Sequence, residues 1–146
     1  MSERTGVVLI AEDDENDVYF LQRAFEKRSA EENFRCVSTG EQALDYLEGN
    51  PPYRDRLNFP FPVLLIVDLK LPGLDGFDLI STVHQCPKFQ QLPIIVLSGS
   101  DVAEDKERAI RFGALEYHVK SNDLRDTQAF VARICSKFLG QQPCAQ

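Results

Sequence analysis

The sequence predicts an α/β protein built on a doubly wound, five-stranded parallel sheet with helices on both faces. Three observations predict it. Short apolar runs alternate five times with segments of helical periodicity, the pattern of repeated βα units. The run Val63-Leu64-Leu65-Ile66-Val67 is apolar at every position, as in a strand buried on both sides of a parallel sheet. Four of the five runs stop at a charged or hydroxyl residue, and the carboxyl ends of strands are where such sheets hold their ligands.

The first strand is Val7 to Ala11, and it stops in Glu12-Asp13-Asp14-Glu15. A helix follows from about Asn16 to Arg28, with Val18, Leu21 and Phe25 on one face. Asn33 to Val37 is a shorter second strand. Ser38 and Thr39 precede Glu41 and Gln42 at capping-box spacing. The helix they open carries Ala43, Leu44 and Leu47 inward and stops at Gly49. Residues 49–62 contain Pro51, Pro52, Pro60 and Pro62, which exclude a regular helix or a central strand. Tyr53, Phe59 and Phe61 are expected to pack this long connection down.

The third strand, Val63 to Val67, ends at Asp68, and Pro72, Gly73 and Gly76 turn the next stretch into a loop. Asp75 caps a helix running to Gln85, stopped by Pro87. The fourth strand, Pro93 to Leu97, leads into Ser98-Gly99-Ser100. Asp101, with Glu104 at capping spacing, is expected to open the fourth helix, which Gly113 closes. Glu116 to Val119 is the last strand and ends at Lys120. Ser121, Asn122 and Asp123 precede a fifth helix, Leu124 to Phe138, with Leu124, Val131, Ile134 and Phe138 along one face. Residues 7–139 then form one domain, with tails at 1–6 and 140–146.

At 146 residues the chain is long enough for one real core. It carries 16 basic and 23 acidic residues, a net charge of −7, which argues against nucleic acid as a partner. No apolar run approaches the ~20 residues of a membrane span, and the first residues lack the apolar core of a signal peptide. Cys36, Cys86, Cys135 and Cys144 are widely spaced and read as reduced thiols of a cytoplasmic protein. His84 and His118 stand alone and read as surface or packing residues.

In a parallel sheet all strand carboxyl ends share one edge. Strand order 2-1-3-4-5 sets the first and third strands side by side at the switch point, which brings Glu12, Asp13 and Asp68 together. Clustered carboxylates repel unless a cation joins them. An oxygen-only set favours a hard ion, Mg²⁺ before zinc. Lys120 offers a positive charge to a phosphoryl group and Ser98 a hydroxyl. An ionised carboxylate can itself be the nucleophile and form an aspartyl phosphate, and Asp68 stands alone at its strand end.

With acid pair, lone Asp, Ser and Lys at four strand ends in this order, the chain resembles a response-regulator receiver domain of two-component signalling, a flavodoxin-like (βα)5 fold, from Val7 to about Leu139. The resemblance implies that Asp68 is the phosphoacceptor. It implies Mg²⁺ held by the side chains of Asp13 and Asp68, by the backbone carbonyl of Lys70, and by Glu12 through water. Ser98 matches the family's switch residue, Lys120 its site lysine, and Tyr117 the aromatic that turns inward on activation. Lys70 and Ser100 would flank the route of attacking water. Leu44-Asp45-Tyr46-Leu47-Glu48-Gly49, the proline-bearing loop and Pro87-Lys88-Phe89-Gln90-Gln91-Leu92-Pro93 are similar to stand-alone receivers that partner bacterial phytochrome-type histidine kinases. No output domain follows the last helix, so output through phosphorelay or protein contact is implied, with a homodimer through helix four, strand five and helix five. Ser121 departs from the family's usual proline after the site lysine, and Lys70 is an unusual cation two residues past the phosphoacceptor.

Three other readings are weaker. A haloacid-dehalogenase-type phosphatase needs a second acid where Lys70 stands. A dinucleotide module needs glycines where Glu12 and Asp13 stand. A degenerate receiver, acting as a phosphorylation-independent interaction module, is the alternative that the sequence leaves in place.

Overall fold

The computed structural model describes residues 4–141. Its sheet has five parallel strands: β1 (Val8–Ala11), β2 (Phe34–Val37), β3 (Leu64–Val67), β4 (Ile94–Ser98) and β5 (Glu116–Val119). The order is β2-β1-β3-β4-β5, the doubly wound order expected. Five helices connect or follow them: α1 (Glu15–Lys27), α2 (Gly40–Glu48), α3 (Gly76–Gln85), α4 (Ala103–Phe112) and α5 (Leu124–Phe138).

Alternation of side chains along the strands divides the core in two. Leu9, Leu65, Val67, Ile94 and Val96 face α2, α3 and α4, where Ala43, Leu47, Leu79, Val83 and Ala109 meet them. Val8, Ile10, Leu64, Ile66 and Ile95 face α1 and α5, through Leu21, Ala24, Phe25, Val131, Ile134 and Cys135. All four residues of β1 and of β3 are buried, as their unbroken apolar runs require.

Caps decide where helices start. Asp14 accepts from the backbone N–H of Asn16 and Asp17 and begins α1. Thr39 accepts from Gln42 N–H, while Gln42 Oε1 accepts from Ser38 N–H. Asp75 accepts from Asp78 N–H, and Asp123 from Arg125 N–H. Gly49, at φ 74°, ends α2 in the left-handed region that glycine enters without strain.

The structure corrects two expectations. Asp101 does not cap α4: Val102 holds that position without a side-chain bond. Ser100 takes over locally, its Oγ accepting from Val102 N–H and donating to Asp105 Oδ2 at 2.7 Å. Leu124, the first residue of α5, is 45% exposed while Val131 and Ile134 of the expected face are buried; Cys135 is buried with them. Outside the five-stranded sheet, Arg4–Thr5 runs antiparallel to Gly140–Gln141. Residues 1–3 and 142–146 lie outside the described residues.

The 49–62 connection is packed down, as expected for Tyr53 and Phe59, whose rings pack against Tyr46 and each other. Arg56 pins it from within. Its guanidinium donates to the carbonyls of Tyr46, Leu47 and Phe59, each at 2.9 Å, and so satisfies the Leu47 carbonyl at the open end of α2 and reinforces that of Tyr46, which also accepts from Gly49 N–H. Phe61 stacks on Phe89 but stays 42% exposed. The Lys120–Ser121 bond is trans, the cis bond among the described residues being Pro51–Pro52.

Candidate phosphoacceptor and metal site

The site is built by the sheet continuing past its strands. Glu12 N–H donates to the Val37 carbonyl, Asp68 N–H to that of Ala11, and Lys120 N–H to that of Ser98. These bonds carry three functional residues one position past the ends of β1, β3 and β5 in parallel register. Glu12, Asp13 and Asp68 meet there, with one carboxylate oxygen from each lying within 4.8 Å of the others. Lys120 Nζ reaches 2.7 Å from Glu12 Oε1 and 3.2 Å from Asp68 Oδ2. Glu12 and Asp68 are buried, at 2% and 6% exposure, while Asp13 is exposed.

The loop after β3 is tied to the site. Lys70 N–H donates to Asp68 Oδ1 at 3.3 Å, and its side chain is exposed. Gly76 packs so closely that a Cβ there would lie 2.5 Å from the Asp68 carbonyl oxygen, so only glycine lets α3 start this near the strand end. Ser98 is buried at the end of β4, its Oγ accepting from Ser100 N–H. Tyr117, from β5, donates its hydroxyl to the Ser100 carbonyl at 2.7 Å. Ser98 and Tyr117 therefore both hold Ser100, one through its N–H and the other through its carbonyl. Glu12 and Asp13 open onto a cleft also lined by Ser38, Gln42 and Tyr53.

The electrostatics are those of a site short of positive charge. Burial raises the pKa of Glu12 to about 7, with the charge of Asp68 adding and Lys120 opposing. Burial also works against the charge on Lys120, but the carboxylates of Asp17, Glu12 and Asp68 outweigh it and hold its pKa above the ordinary lysine value. Three carboxylates thus contact one ammonium, and Asp13 adds a fourth acid beside Glu12 and Asp68. An all-oxygen cluster with this deficit fits a hard divalent cation.

All seven site residues expected from the sequence are placed at or beside this edge. One was missed. Asp17, in the first turn of α1, contacts Lys120 Nζ through Oδ2 at 2.7 Å. Helical spacing gave no signal for it, because Asp13 lies outside α1, before the cap Asp14.

The comparisons bear on family and fold. A model of the response regulator receiver domain matches residues 8–132. The chain is similar to the response regulator Rcp1 of Synechocystis, at 27% identity over 91% of this chain and 88% of that one. It is also similar to the crystal structure of response regulator RPA3017 in red light signaling of R. palustris. That likeness has a TM-score of 0.82 and 32% identity over 89% of this chain and 91% of the other. The Mn²⁺-bound form of Rcp1 superposes with a TM-score of 0.76, at 26% identity over 91% and 94% of the two chains. Among the described residues no helix is long and apolar enough to cross a membrane. Fold, strand-end chemistry and comparisons coincide: the chain belongs to the response regulator receiver domain family of two-component signalling.

Proposed function

We propose that this protein accepts a phosphoryl group on Asp68 from the phosphohistidine of a histidine kinase, of the phytochrome type, and switches a protein-contact face in response. One observation carries the reading: a buried carboxylate at the end of the central strand, in contact with the Lys120 ammonium and flanked by two further acids. Asp13 and Asp68 would hold Mg²⁺ through their side chains, Lys70 through its backbone carbonyl and Glu12 through water. The ion supplies charge neutralisation for the phosphoryl oxygens. An Asp68 carboxylate oxygen attacks phosphorus in line. The new O–P bond forms as the P–N bond to imidazole breaks, and the ring nitrogen leaves with its electron pair. Lys120 donates to a phosphoryl oxygen, and positioning does most of the work.

Signal transmission uses contacts already present. Ser98 Oγ turns toward the phosphoryl group and gives up its bond from Ser100 N–H. The Ser100 carbonyl, which accepts from Tyr117, moves with the loop, and Tyr117 follows. The face of α4, β5 and α5 is remade, a two-state element biased by one local charge. In the phosphorylated form this face pairs two copies of the chain, which sedimentation with a phosphoryl mimic tests.

Incubation with acetyl phosphate and Mg²⁺ is expected to add one phosphoryl group by intact mass, and Asp68→Asn protein to gain none. Asp68→Asn protein that labels as fast as wild type refutes the assignment. A wild-type protein that never labels but still binds a kinase supports the alternative, an interaction module independent of phosphorylation.

A further inference from the structure

The Lys120 ammonium has three N–H donors and meets three carboxylates: Glu12 and Asp17 at 2.7 Å and Asp68 at 3.2 Å. Glu12 and Asp68 belong to the cluster suited to a divalent cation. Asp17 does not. It comes from α1, whose start is set by Asp14 capping Asn16 and Asp17 and whose inner face is buried through Leu21, Ala24 and Phe25. Asp17 and Lys120 together line a cavity of about 150 Å³ that Phe130 of α5 also lines. Asp17 is therefore a carboxylate on a rigid element, outside the metal set, already bonded to the site lysine.

We propose that Asp17 is a positioning residue for phosphoryl transfer, the carboxylate that keeps hold of Lys120 when Glu12 and Asp68 turn to a cation and a phosphoryl group. The proposal rests on the reading of Asp68 as phosphoacceptor. Its physical basis is a competition for charge. A cation at the acid cluster repels the ammonium and draws on two of its three partners. A lysine freed of both has a flexible four-carbon stem, and ordering it at the moment of transfer costs rotamer entropy. Asp17 keeps one donor fixed from the α1 side, and the donor now spent on Asp68, the longest of the three contacts, passes to the phosphoryl oxygen. Asp17 touches neither phosphorus nor nucleophile and acts through Lys120.

The test compares wild type with Asp17→Asn, Asp17→Glu, Lys120→Ala and the double variant Asp17→Asn/Lys120→Ala. With acetyl phosphate and Mg²⁺, Asp17→Asn is expected to lower the maximal labelling rate roughly tenfold, the scale of one lost charge-assisted hydrogen bond. The acetyl phosphate concentration at half-maximal rate stays unchanged, and Asp17→Glu recovers part of the rate. In EDTA, urea unfolding of the four corners of the Asp17–Lys120 cycle is expected to show coupling of at least roughly fivefold in the unfolding constant. Wild-type labelling by Asp17→Asn, or additivity of the two substitutions in the metal-free protein, overturns the proposal. If Asp17→Asn weakens α1 itself, the cycle still separates the cases, because a purely helical effect adds to Lys120→Ala instead of coupling to it. Wild-type protein that fails to label faults the reading of Asp68, not the role of Asp17.

Discussion

Asp13 gives the cleanest test of the acid cluster, because among the described residues it forms no ion pair while a carboxylate oxygen of each of Glu12 and Asp68 lies within 4.8 Å of its own. Asp13→Asn removes a repelled charge and no partner. At that separation each repulsion is about 1 kcal/mol with the dielectric of water and about 3.5 kcal/mol at an effective value near 20. Asp13 is exposed, so the lower figure governs, and the two repulsions sum to about 1–2 kcal/mol. Glu12 must be ionised for both to act. Its pKa lies near 7, so the measurement belongs at about pH 8.

In EDTA, Asp13→Asn is therefore expected to be more stable than wild type by about 1–2 kcal/mol. Mg²⁺ erodes that advantage. At about 100 times its dissociation constant a ligand stabilises by about 2.7 kcal/mol. Loss of a ligand weakens binding by at least the ~10–100-fold that outer-shell changes cost, leaving the variant a gain of only about 0.4–1.4 kcal/mol under the same conditions. Urea unfolding followed by circular dichroism, with and without Mg²⁺, reads both halves. A variant less stable than wild type in EDTA, or one stabilised by Mg²⁺ as much as wild type, refutes the cluster as a cation site held open by mutual repulsion.

Three further outcomes are expected. Arg56→Ala leaves the carbonyls of Leu47 and Phe59 without the Arg56 donor, while that of Tyr46 keeps its bond from Gly49 N–H; it should cost about 2–4 kcal/mol and lower the melting temperature by several degrees in a thermal scan. Glu116 is held at a pKa of about 2, below its usual 4.5, by hydrogen bonds from His118, Lys137 and Arg133. A depressed carboxylate stabilises above its unfolded pKa and loses that contribution as pH falls toward the folded value. Glu116→Gln should therefore cost roughly 1 kcal/mol at neutral pH, allowing for solvent screening, and the cost should shrink when urea melts are repeated at about pH 3. Lys70→Ala should shorten the life of the Asp68 phosphoryl group roughly threefold to tenfold, the rate equivalent of about 1 kcal/mol, if the Lys70 ammonium pairs with it and slows water. An unchanged decay in a phosphate-release assay would remove Lys70 from that role.

Much of this protein can be read along the chain. Strand identity follows from apolar runs such as Val63–Val67, and helix starts follow from Thr39, Asp75 and Asp123, because both are set by neighbours a few residues away. The candidate site is legible for the same reason. Parallel strands share one edge, so the residues just past them, Glu12, Asp68 and Lys120, are brought together by topology alone, as is Ser98 at the end of its strand. What the tertiary structure decided depends on contacts across long separations in sequence. Asp17 is an unremarkable helix acid until Lys120, 103 residues on, sets its ammonium against it. Arg56 reads as a loop charge until it folds back under α2. Asp101 has the spacing of a cap, yet the turn is already held by the side-chain bonds of Ser100 and by Tyr117 on its carbonyl. Local pattern determines which elements form; which charge satisfies which is settled only when those elements pack, because one half-buried cation shared among several acids is a property of the assembled edge.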